Sequence, residues 1–350
     1  LMISVGIIGA SGYTGEELVK ILQNHPDVKI HALTSRSHVG KKINDVFDLE
    51  NSINGEFKSP SIENLLGCDI VFFATPNGVA MDMANKLLDN NIRVIDISAD
   101  FRLKNLDIWE EWYGIKHLSP SLLPESVYGL PEIPGQKEKI RKALIVANPG
   151  CYPTSALLAL LPISKRLEKQ KIIINATSGI SGAGRNLNSK KLFEEGHDNF
   201  QAYAVRSHRH YPEILQTLNI NNPNLDVLFV PHLSSMVRGI FSTIYLKYKY
   251  NQIERVKEIF MEYYKDAPFI EILDNGLFPK VSEITMTNKC QISLHQVESD
   301  DGDINLVIFS VLDNLIKGAS GQAVQNMNIM FDIDEKRSLG WFIPCYLVIL

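Results

Sequence analysis

The start of the chain constrains the fold most. A short apolar stretch, a glycine-rich loop and a helical pattern follow one another there. Ile3–Ile8 is apolar, the loop Gly9–Gly15 follows it, and apolar residues then recur at helical spacing from about Thr14 to Asn24. A buried strand that passes through a glycine turn into a helix opens a parallel, helix-covered sheet. Glycines there let the backbone approach a pyrophosphate, and the helix N-terminus offers free N–H groups.

The same alternation of strands and helices continues to about residue 148. A second helix is predicted from about Val79 to Asp89. Further strands are predicted at Lys29–Leu33, Asp69–Ala74, Arg93–Ile97 and Ala143–Ala147. This order predicts a doubly wound parallel sheet of the Rossmann type, with helices on both faces.

The pattern changes in the second half of the chain. Strands are predicted at Leu225–Val230, Gly239–Lys247, Cys290–Val297 and Asn305–Leu312, and helices at Pro153–Leu161, Gln252–Tyr264 and Asp313–Met330. The last two strands form a predicted hairpin over the polar loop Glu298–Asp303. We therefore predict an α/β protein with a Rossmann-type domain (1–148), an α+β substrate and oligomerisation domain with a mixed or antiparallel sheet (149–312), and a C-terminal segment (313–350).

The glycine loop and the end of the second strand predict a cofactor. The loop spacing is GxxGxxG, which is weak evidence by itself, but its place between strand and helix fits dinucleotide binding. Its predicted contacts are Gly9, Ser11, Gly12, Tyr13, Thr14 and Gly15. Ser35 and Arg36 end the second strand without the carboxylate that NAD enzymes usually place there, and an arginine can pair with a 2′-phosphate. NADP(H) is the predicted cofactor; a ligand-free turn and a solvated basic loop are the alternatives.

Cys151 is the predicted nucleophile. It lies in Asn148–Thr154 (NPGCYPT), between a predicted strand and a predicted helix, where Pro153 suits the first helical turn. The positive end of a helix stabilises a thiolate, which is the form that attacks acyl carbons. The alternative is a buried, inert cysteine, an interpretation that suits Cys68 and Cys290 better.

Two histidines in Ser207–Glu213 (SHRHYPE) provide the predicted proton transfer. His208 and His210 alternate, so on an extended segment they would point the same way. A metal site that adds His232 is the alternative, but no ligand spacing supports it, and no metal is expected.

Composition excludes other classes. The net charge of −5 gives no reason to expect a nucleic-acid partner. The apolar runs are shorter than the roughly 18 residues that a membrane span needs. The four cysteines form no close pair, and no signal-peptide pattern is apparent, so we expect a cytoplasmic protein.

Eight motifs together resemble the N-acetyl-gamma-glutamyl-phosphate reductase family over most of the chain, from about Ile3 to Met330. They are GASGYTGEEL (Gly9–Leu18), TSRS (Thr34–Ser37), DISADFRL (Asp96–Leu103), YGLPE (Tyr128–Glu132), NPGCYPT (Asn148–Thr154), SGISGAGR (Ser178–Arg185), HRHYPEI (His208–Ile214) and KGASGQAVQNMN (Lys317–Asn328). The resemblance implies NADPH-dependent reduction of N-acetylglutamyl phosphate to the semialdehyde through a Cys151 thioester. It also implies a homodimer or homotetramer whose last helix returns to the first domain.

The resemblance also implies roles for individual residues. His208 would be the acid/base residue, beside the nucleophile Cys151. The substrate-binding residues would be His210, Arg209, Tyr203, Arg102 and Arg185, although either Arg102 or Arg185 could instead form a structural ion pair. Ser178, Gly179 and Gly182 would lie close to the nicotinamide or the phosphate, and Gln322 would contact the nicotinamide.

Some residues depart from the family pattern, and two rival functions remain. Asn77 and Tyr211 stand where many relatives have histidine and threonine, and the apolar tail Gly340–Leu350 does not match the expected ending. One rival is a reductase of a carrier-bound aminoadipyl phosphate; the acidic balance of the chain argues mildly against it. The other is a non-catalytic NADP-binding regulator, which would have lost Cys151 and His208. Aspartate-semialdehyde dehydrogenases share the chemistry but have a different histidine motif.

Overall fold

The structure is a computed structural model that describes residues 2–49, 51–184, 199–248, 253–297 and 305–340. The chain forms two compact units. The first joins the residues up to Pro149 to those from Ala319 to Gly340, and the second runs from Gly150 to Gly318. The predicted loop Glu298–Asp303, Arg185 and most of the apolar tail lie outside the described residues.

The first unit contains a parallel sheet of six strands in the order β2-β1-β3-β4-β6-β5. Its strands are β1 (Ile3–Ile8), β2 (Val28–Thr34), β3 (Ile70–Phe73), β4 (Arg93–Asp96), β5 (Val127–Tyr128) and β6 (Ile145–Ala147). Its first helices are α1 (Tyr13–Leu22), α2 (Val79–Asp89), α3 (Leu106–Tyr113) and α4 (Gln136–Lys142). The predicted doubly wound parallel sheet is confirmed. Strand β3 is buried at every position, as expected for a strand with helices on both faces.

The second unit contains a mixed sheet of seven strands in the order β11-β12-β13-β10-β7-β9-β8. Its strands are β7 (Lys171–Gly179), β8 (Phe200–Ala202), β9 (Asp226–Ser234), β10 (Ile240–Leu246), β11 (Ile270–Ile272), β12 (Cys290–Gln296) and β13 (Leu306–Leu312). Its helices are α5 (Cys151–Ser164), α6 (His210–Asn221), α7 (Ile253–Tyr263) and α8 (Val281–Ile284). β7 pairs in parallel with β9 and antiparallel with β10, so the predicted mixed sheet is confirmed.

Helix α5 is the core of the second unit. Every residue from Tyr152 to Ser164 is buried, because the helix packs against β10, β13, α6 and α7. Pro162 lies inside this helix and cannot donate a hydrogen bond to the carbonyl of Leu158. The hydroxyl of Tyr264 donates to that carbonyl instead, at 2.5 Å, so the proline leaves no buried acceptor without a partner.

The other face of this sheet is apolar and only half-buried. Side chains alternate along each strand, and those that point away from α5 include Ile173, Leu228, Phe241, Tyr245 and Phe309, all partly exposed. A broad apolar sheet face of this kind is typical of a protein–protein contact.

The last helix, α9 (Gly321–Met330), belongs to the first unit. All ten of its residues are buried, and it packs against α1 and α4. Its polar side chains form hydrogen bonds within that unit: Asn326 Nδ2 donates to the carbonyl of Gly129 at 2.9 Å, and Asn328 Oδ1 lies 3.0 Å from His25 Nε2. The helix therefore contributes to the core of the first unit despite its place at the end of the sequence. Among the described residues, no helix is both long and apolar enough to cross a lipid bilayer.

Candidate active site

Cys151 is the first residue of α5, and its side chain is half-buried. The preceding Gly150 is the N-cap, in extended conformation. The N–H of Gly150 donates to Oε1 of Glu213 at 2.9 Å, and Glu213 is a buried residue of α6. A carboxylate thus fixes the backbone immediately before the cysteine. Sequence reasoning did not identify Glu213, although it lies in the HRHYPEI motif.

The imidazole of His210 lies directly against Gly150. A Cβ atom built on Gly150 would be 2.4 Å from Nε2 of His210, a distance that real Cβ atoms do not show. Only glycine therefore allows this ring to approach the residue before Cys151. His210, predicted as a substrate-binding residue, is the histidine that the structure places on the nucleophile segment.

His208 and His210 do not lie on an extended segment, so the condition under which their side chains would point the same way is not met. Arg209 has right-handed helical angles, and His210 is the first residue of α6. Pro212 explains the difference, because its missing N–H and fixed φ suit the first turn of a helix. The two rings are nevertheless close, with centroids 4.7 Å apart.

His208 is held in a network that involves both of its ring nitrogens. Its Nδ1 accepts the N–H of His210 at 3.1 Å, and its Nε2 lies 3.3 Å from the hydroxyl of Tyr203. Burial lowers the pKa of His208 to about 4, and the nearby charge of Arg209 adds to the effect. His208 is therefore neutral at physiological pH. With Nδ1 as an acceptor, its proton belongs on Nε2, facing Tyr203.

Two tyrosines extend this network. The hydroxyl of Tyr203 donates to that of Tyr152 at 3.3 Å, and the hydroxyl of Tyr152 donates to the carbonyl of His232 at 2.9 Å. Burial raises the pKa of Tyr203 to about 12, and it raises the pKa of Tyr152 further. Both hydroxyls therefore remain protonated. The side chain of His232 stacks on Phe200, and no group of three or more potential metal ligands occurs within the described part of the chain.

Two further segments of the second unit lie near the cysteine or carry predicted cofactor contacts. A Cβ atom on Gly318 would be 2.7 Å from Cβ of Cys151, so the backbone at residue 318 packs on the nucleophile. In the turn after β7, Ser178 is buried and its hydroxyl donates to the carbonyl of Gly179, while Gly182 is exposed. A side chain on Gly179 would collide with the backbone of Val237 and Arg238 at 2.8 Å.

The glycine loop of the first unit borders a cleft of about 340 Å³. The cleft is lined by Ile8, Gly9, Ser11, Gly12, Ser35, Arg36, Ser37, Pro60, Ala74, Thr75, Pro76 and Val79. Gly9 has φ +79°, and a Cβ there would be 2.3 Å from the carbonyl oxygen of Ala74, so the loop requires glycine. Gly12 is the N-cap of α1, Tyr13 and Thr14 begin that helix, and a Cβ on Gly15 would be 2.5 Å from the backbone of Ala10.

Of the side chains predicted to contact the cofactor, Ser11, Ser35 and Arg36 line this cleft, whereas Gln322 lies outside its lining. Ser11 and Ser35 share a hydrogen bond of 2.8 Å, and the neighbouring Arg36 is exposed. Gln322 is fully buried, and neither its amide oxygen nor its amide nitrogen has a hydrogen-bond partner among the described residues. Buried amides are rarely left in this state, so Gln322 fits a residue that binds the carboxamide of a nicotinamide. Beside it, the hydroxyl of Ser320 donates to the carbonyl of Thr14 at 2.9 Å.

Arg102 and Arg185 are the two arginines for which the sequence leaves both anion binding and a structural ion pair open. The buried Arg102 donates from Nε to the carbonyl of Asn148 and from Nη2 to the carbonyl of Ile97, both at 2.7 Å. It thereby connects the chain after β4 to the segment after β6. Arg185 lies outside the described residues, and Arg209 is exposed.

Comparisons with known proteins agree with this architecture. The semialdehyde dehydrogenase NAD-binding domain matches residues 4–143, and the semialdehyde dehydrogenase dimerisation domain matches residues 151–314. The N-acetyl-gamma-glutamyl-phosphate reductase of Nitrosospira multiformis is 45% identical over 95% of this chain and 97% of its own length.

Solved structures show the same fold at lower identity. Aspartate semialdehyde dehydrogenase II of Vibrio cholerae, complexed with ASA, is 18% identical with a TM-score of 0.73, over 95% of this chain and 99% of its own. The Candida albicans enzyme, crystallised with NADP, is 16% identical with a TM-score of 0.69 over the same shares of the two chains.

Proposed function

The chain belongs to the N-acetyl-gamma-glutamyl-phosphate reductase family, and we propose that it reduces N-acetyl-L-glutamyl 5-phosphate to N-acetyl-L-glutamate 5-semialdehyde, with NADPH as reductant and release of phosphate. This is a reductive step of arginine biosynthesis. One observation supports it most directly: Cys151 begins a helix, with the imidazole of His210 against Gly150. The protein is thus an oxidoreductase that acts through a covalent cysteine intermediate.

The first step belongs to Cys151. Its thiolate attacks the acyl carbon, a carbon–sulfur bond forms, and the carbon–oxygen bond to phosphate breaks with its electron pair on the phosphate. The start of α5 favours the thiolate, because the free N–H groups of the first turn and the helix dipole stabilise negative charge. The resulting thioester accepts a hydride far more readily than a carboxylate does, which is the reason for covalent catalysis here.

Proton transfer is assigned to His210 in this proposal, in place of the His208 that the sequence resemblance implies. The ring of His210 reaches the residue before Cys151, whereas both ring nitrogens of His208 are engaged with His210 and Tyr203. An imidazole near the thioester protonates the developing oxyanion and takes the proton back as the carbon–sulfur bond breaks. His208 then orients His210 by accepting its backbone N–H.

The cofactor is a nicotinamide dinucleotide, and we propose NADP(H). When bound, it supplies the hydride that reduces the thioester carbon. Gly9, Gly12 and the N-terminus of α1 would hold its pyrophosphate, and Gln322 would bind its carboxamide. Arg36, at the exposed end of the cleft, would pair with the 2′-phosphate, since a guanidinium matches a phosphate bidentately. An R36L variant should therefore lose affinity for NADP more than for NAD.

We propose substrate or cofactor contacts for several residues of the second unit. Tyr203 lies within the histidine network, and the neighbouring guanidinium of Arg209 is exposed. We propose that Arg209 binds the carboxylate of N-acetylglutamate, because a guanidinium matches the geometry of a carboxylate. Ser178, Gly179 and Gly182 are proposed to lie close to the nicotinamide or the phosphate. The backbone contacts of Arg102 indicate a structural role as well as any role in anion binding.

The protein is proposed to be a homodimer or homotetramer. The match to a dimerisation domain and the half-buried apolar face of the second sheet support this assembly. Light scattering after gel filtration tests it, and a charge placed at Phe241 should dissociate the assembly. We also place the enzyme in the cytoplasm, where a reducing environment keeps the nucleophilic thiol available.

The decisive assay follows NADP reduction with N-acetylglutamate semialdehyde and phosphate, in parallel with the aspartate and aminoadipate semialdehydes. The N-acetyl compound should be the best substrate. Faster turnover of the aminoadipate compound would favour the carrier-linked alternative, and NADP binding without turnover would favour the non-catalytic regulator.

Three variants test the proposed roles of Cys151, His210 and His208. C151S should bind NADP normally and lose turnover. H210N should lose about a hundred-fold or more in kcat, as expected for a general acid/base. H208N should retain more activity than H210N; the reverse order would return the proton transfer to His208.

A further inference from the structure

The residues Asp313 and Asn314, which directly follow β13, connect several chain segments of the second unit. Oδ1 of Asp313 accepts the N–H groups of Leu315 and Ile316 at 2.8 and 3.1 Å, and its carbonyl accepts the N–H of Gly318 at 2.9 Å. This buried carboxylate therefore shapes the turn that carries Gly318, the residue packed on Cys151.

Asn314 connects two other loops with a single amide. Its Oδ1 accepts the N–H of Gly239 at 2.7 Å, and its Nδ2 donates to the hydroxyl of Ser181 at 2.9 Å. The orientation of the amide is fixed, because a backbone N–H can only donate and so must face the oxygen. Asn314 is 2% exposed, so water cannot reach it to replace a lost hydrogen bond. Breaking either bond would leave a buried polar group without a partner, which is costly.

Ser181 belongs to the turn that is proposed to approach the nicotinamide or the phosphate. The backbone of this turn is also tied to the loop before β10: the N–H of Ile180 donates to the carbonyl of Met236 at 2.8 Å, and that of Ser181 to the carbonyl of Val237 at 3.1 Å. The hydrogen bond that Asn314 Nδ2 donates to Ser181 therefore joins this turn to the residue that follows Asp313.

We propose that Asn314 is a positioning residue. Through its hydrogen bond to Ser181, it holds the 178–184 turn at a fixed position relative to Gly318, and therefore relative to Cys151. The inference rests on the proposed function, because it assigns that turn to substrate or cofactor contact. Asparagine suits the position because one planar group supplies both the acceptor and the donor at fixed separation. Asp313 orders the turn that follows, and Asn314 orders the two loops beside it.

The test compares three variants by kcat, KM and thermal stability. S181A removes only the hydroxyl that accepts from Asn314, and it should lower kcat by about ten-fold while leaving KM for NADP within about two-fold, because small misplacements of a reacting centre are costly. N314A should lower kcat at least as much. The double variant should lose no more than N314A, because both changes break the same hydrogen bond.

N222A is the matched control. Asn222 is also a buried asparagine of the second unit. Its amide donates to the carbonyls of Ser164, the last residue of α5, and Leu167, just after it, at the opposite end of α5 from the cysteine. It should lower the melting temperature and leave kcat and KM unchanged. Unchanged kcat in S181A and N314A, or losses that merely follow the melting temperature as in N222A, would overturn the positioning role.

If the proposed function is wrong, the kinetic experiment gives a result that differs from a failure of the positioning role. In that case the wild type itself does not turn over the N-acetyl substrate. The variants can then still be compared without substrate, by the rate at which iodoacetamide alkylates Cys151. Asn314 is expected to influence it through the turn at Gly318, so equal rates in wild type and N314A would contradict the inference.

Discussion

The imidazole of His210 occupies the space in which a side chain on Gly150 would begin, with Nε2 2.4 Å from that position. Replacing Gly150 by alanine must therefore displace either the ring or the backbone before Cys151. We expect G150A to lose on the order of a hundred-fold in kcat/KM, as for small misplacements at a reacting centre, while NADP affinity stays the same. Steady-state kinetics and cofactor titration measure the two effects.

The control for this change is G340A. A Cβ atom on Gly340 would meet nothing within 4 Å, and the residue is exposed. This variant should be fully active. Full activity of G150A as well would show that the contact between His210 and Gly150 does not matter for catalysis.

His208 should make the stability of the protein sensitive to acid. Its folded-state pKa of about 4 lies below the ordinary 6.5, so the unfolded chain binds more protons between these values. Stability therefore falls as pH decreases from about 6.5 to about 4, by an amount on the order of 3 kcal/mol for this group. Urea unfolding of H208Q should show a shallower loss across this window.

An exposed histidine provides the comparison. His31 lies on the surface, so H31Q should follow the wild-type pH dependence. If the stability of H208Q falls with decreasing pH as steeply as that of the wild type, His208 is not buried as a neutral ring.

The hydroxyl of Tyr264 should stabilise α5 by satisfying the carbonyl of Leu158. Y264F leaves that carbonyl buried without its donor, which typically costs about 1–3 kcal/mol. Denaturant unfolding measures this loss. In a P162A background the new N–H can donate to Leu158, so Y264F should cost clearly less there. Equal costs in both backgrounds would contradict the compensation between Tyr264 and Pro162.

Alkylation should distinguish the cysteines. Cys151 is half-buried, whereas Cys68 and Cys290 are buried, and burial together with the neighbouring Asp69 raises the pKa of Cys68 to about 12. Iodoacetamide at neutral pH should modify Cys151 well before either of them, as read by peptide mass spectrometry. Equally fast labelling of Cys68 would contradict the description of its surroundings.

The sequence predicts the parallel sheet well because its strands are near-continuous apolar runs separated by clear helical patterns. It does not predict β7, where exposed and buried residues alternate imperfectly along Lys171–Gly179, although this strand is central in the second sheet. It also does not predict α6, whose first turn contains Pro212, a residue that suits the first turn of a helix.

The candidate site is predicted in part. Cys151 follows from its place before a helix, and the glycine loop from its place after a strand. Glu213, Gly318 and Asn314 could not be assigned, because their roles arise from contacts between segments far apart in the sequence. The choice between His208 and His210 likewise depends on which ring reaches Gly150, and spacing alone does not determine this.

The position of α9 has a consequence for how the protein is made. The first unit needs residues 319–340, which the ribosome produces only after the whole of the second unit has been synthesised. Until then, the surfaces of α1 and α4 that α9 covers have no partner from that helix. The nascent dinucleotide-binding half therefore stays incomplete until the end of translation, while Gly150–Gly318 has its full set of strands earlier.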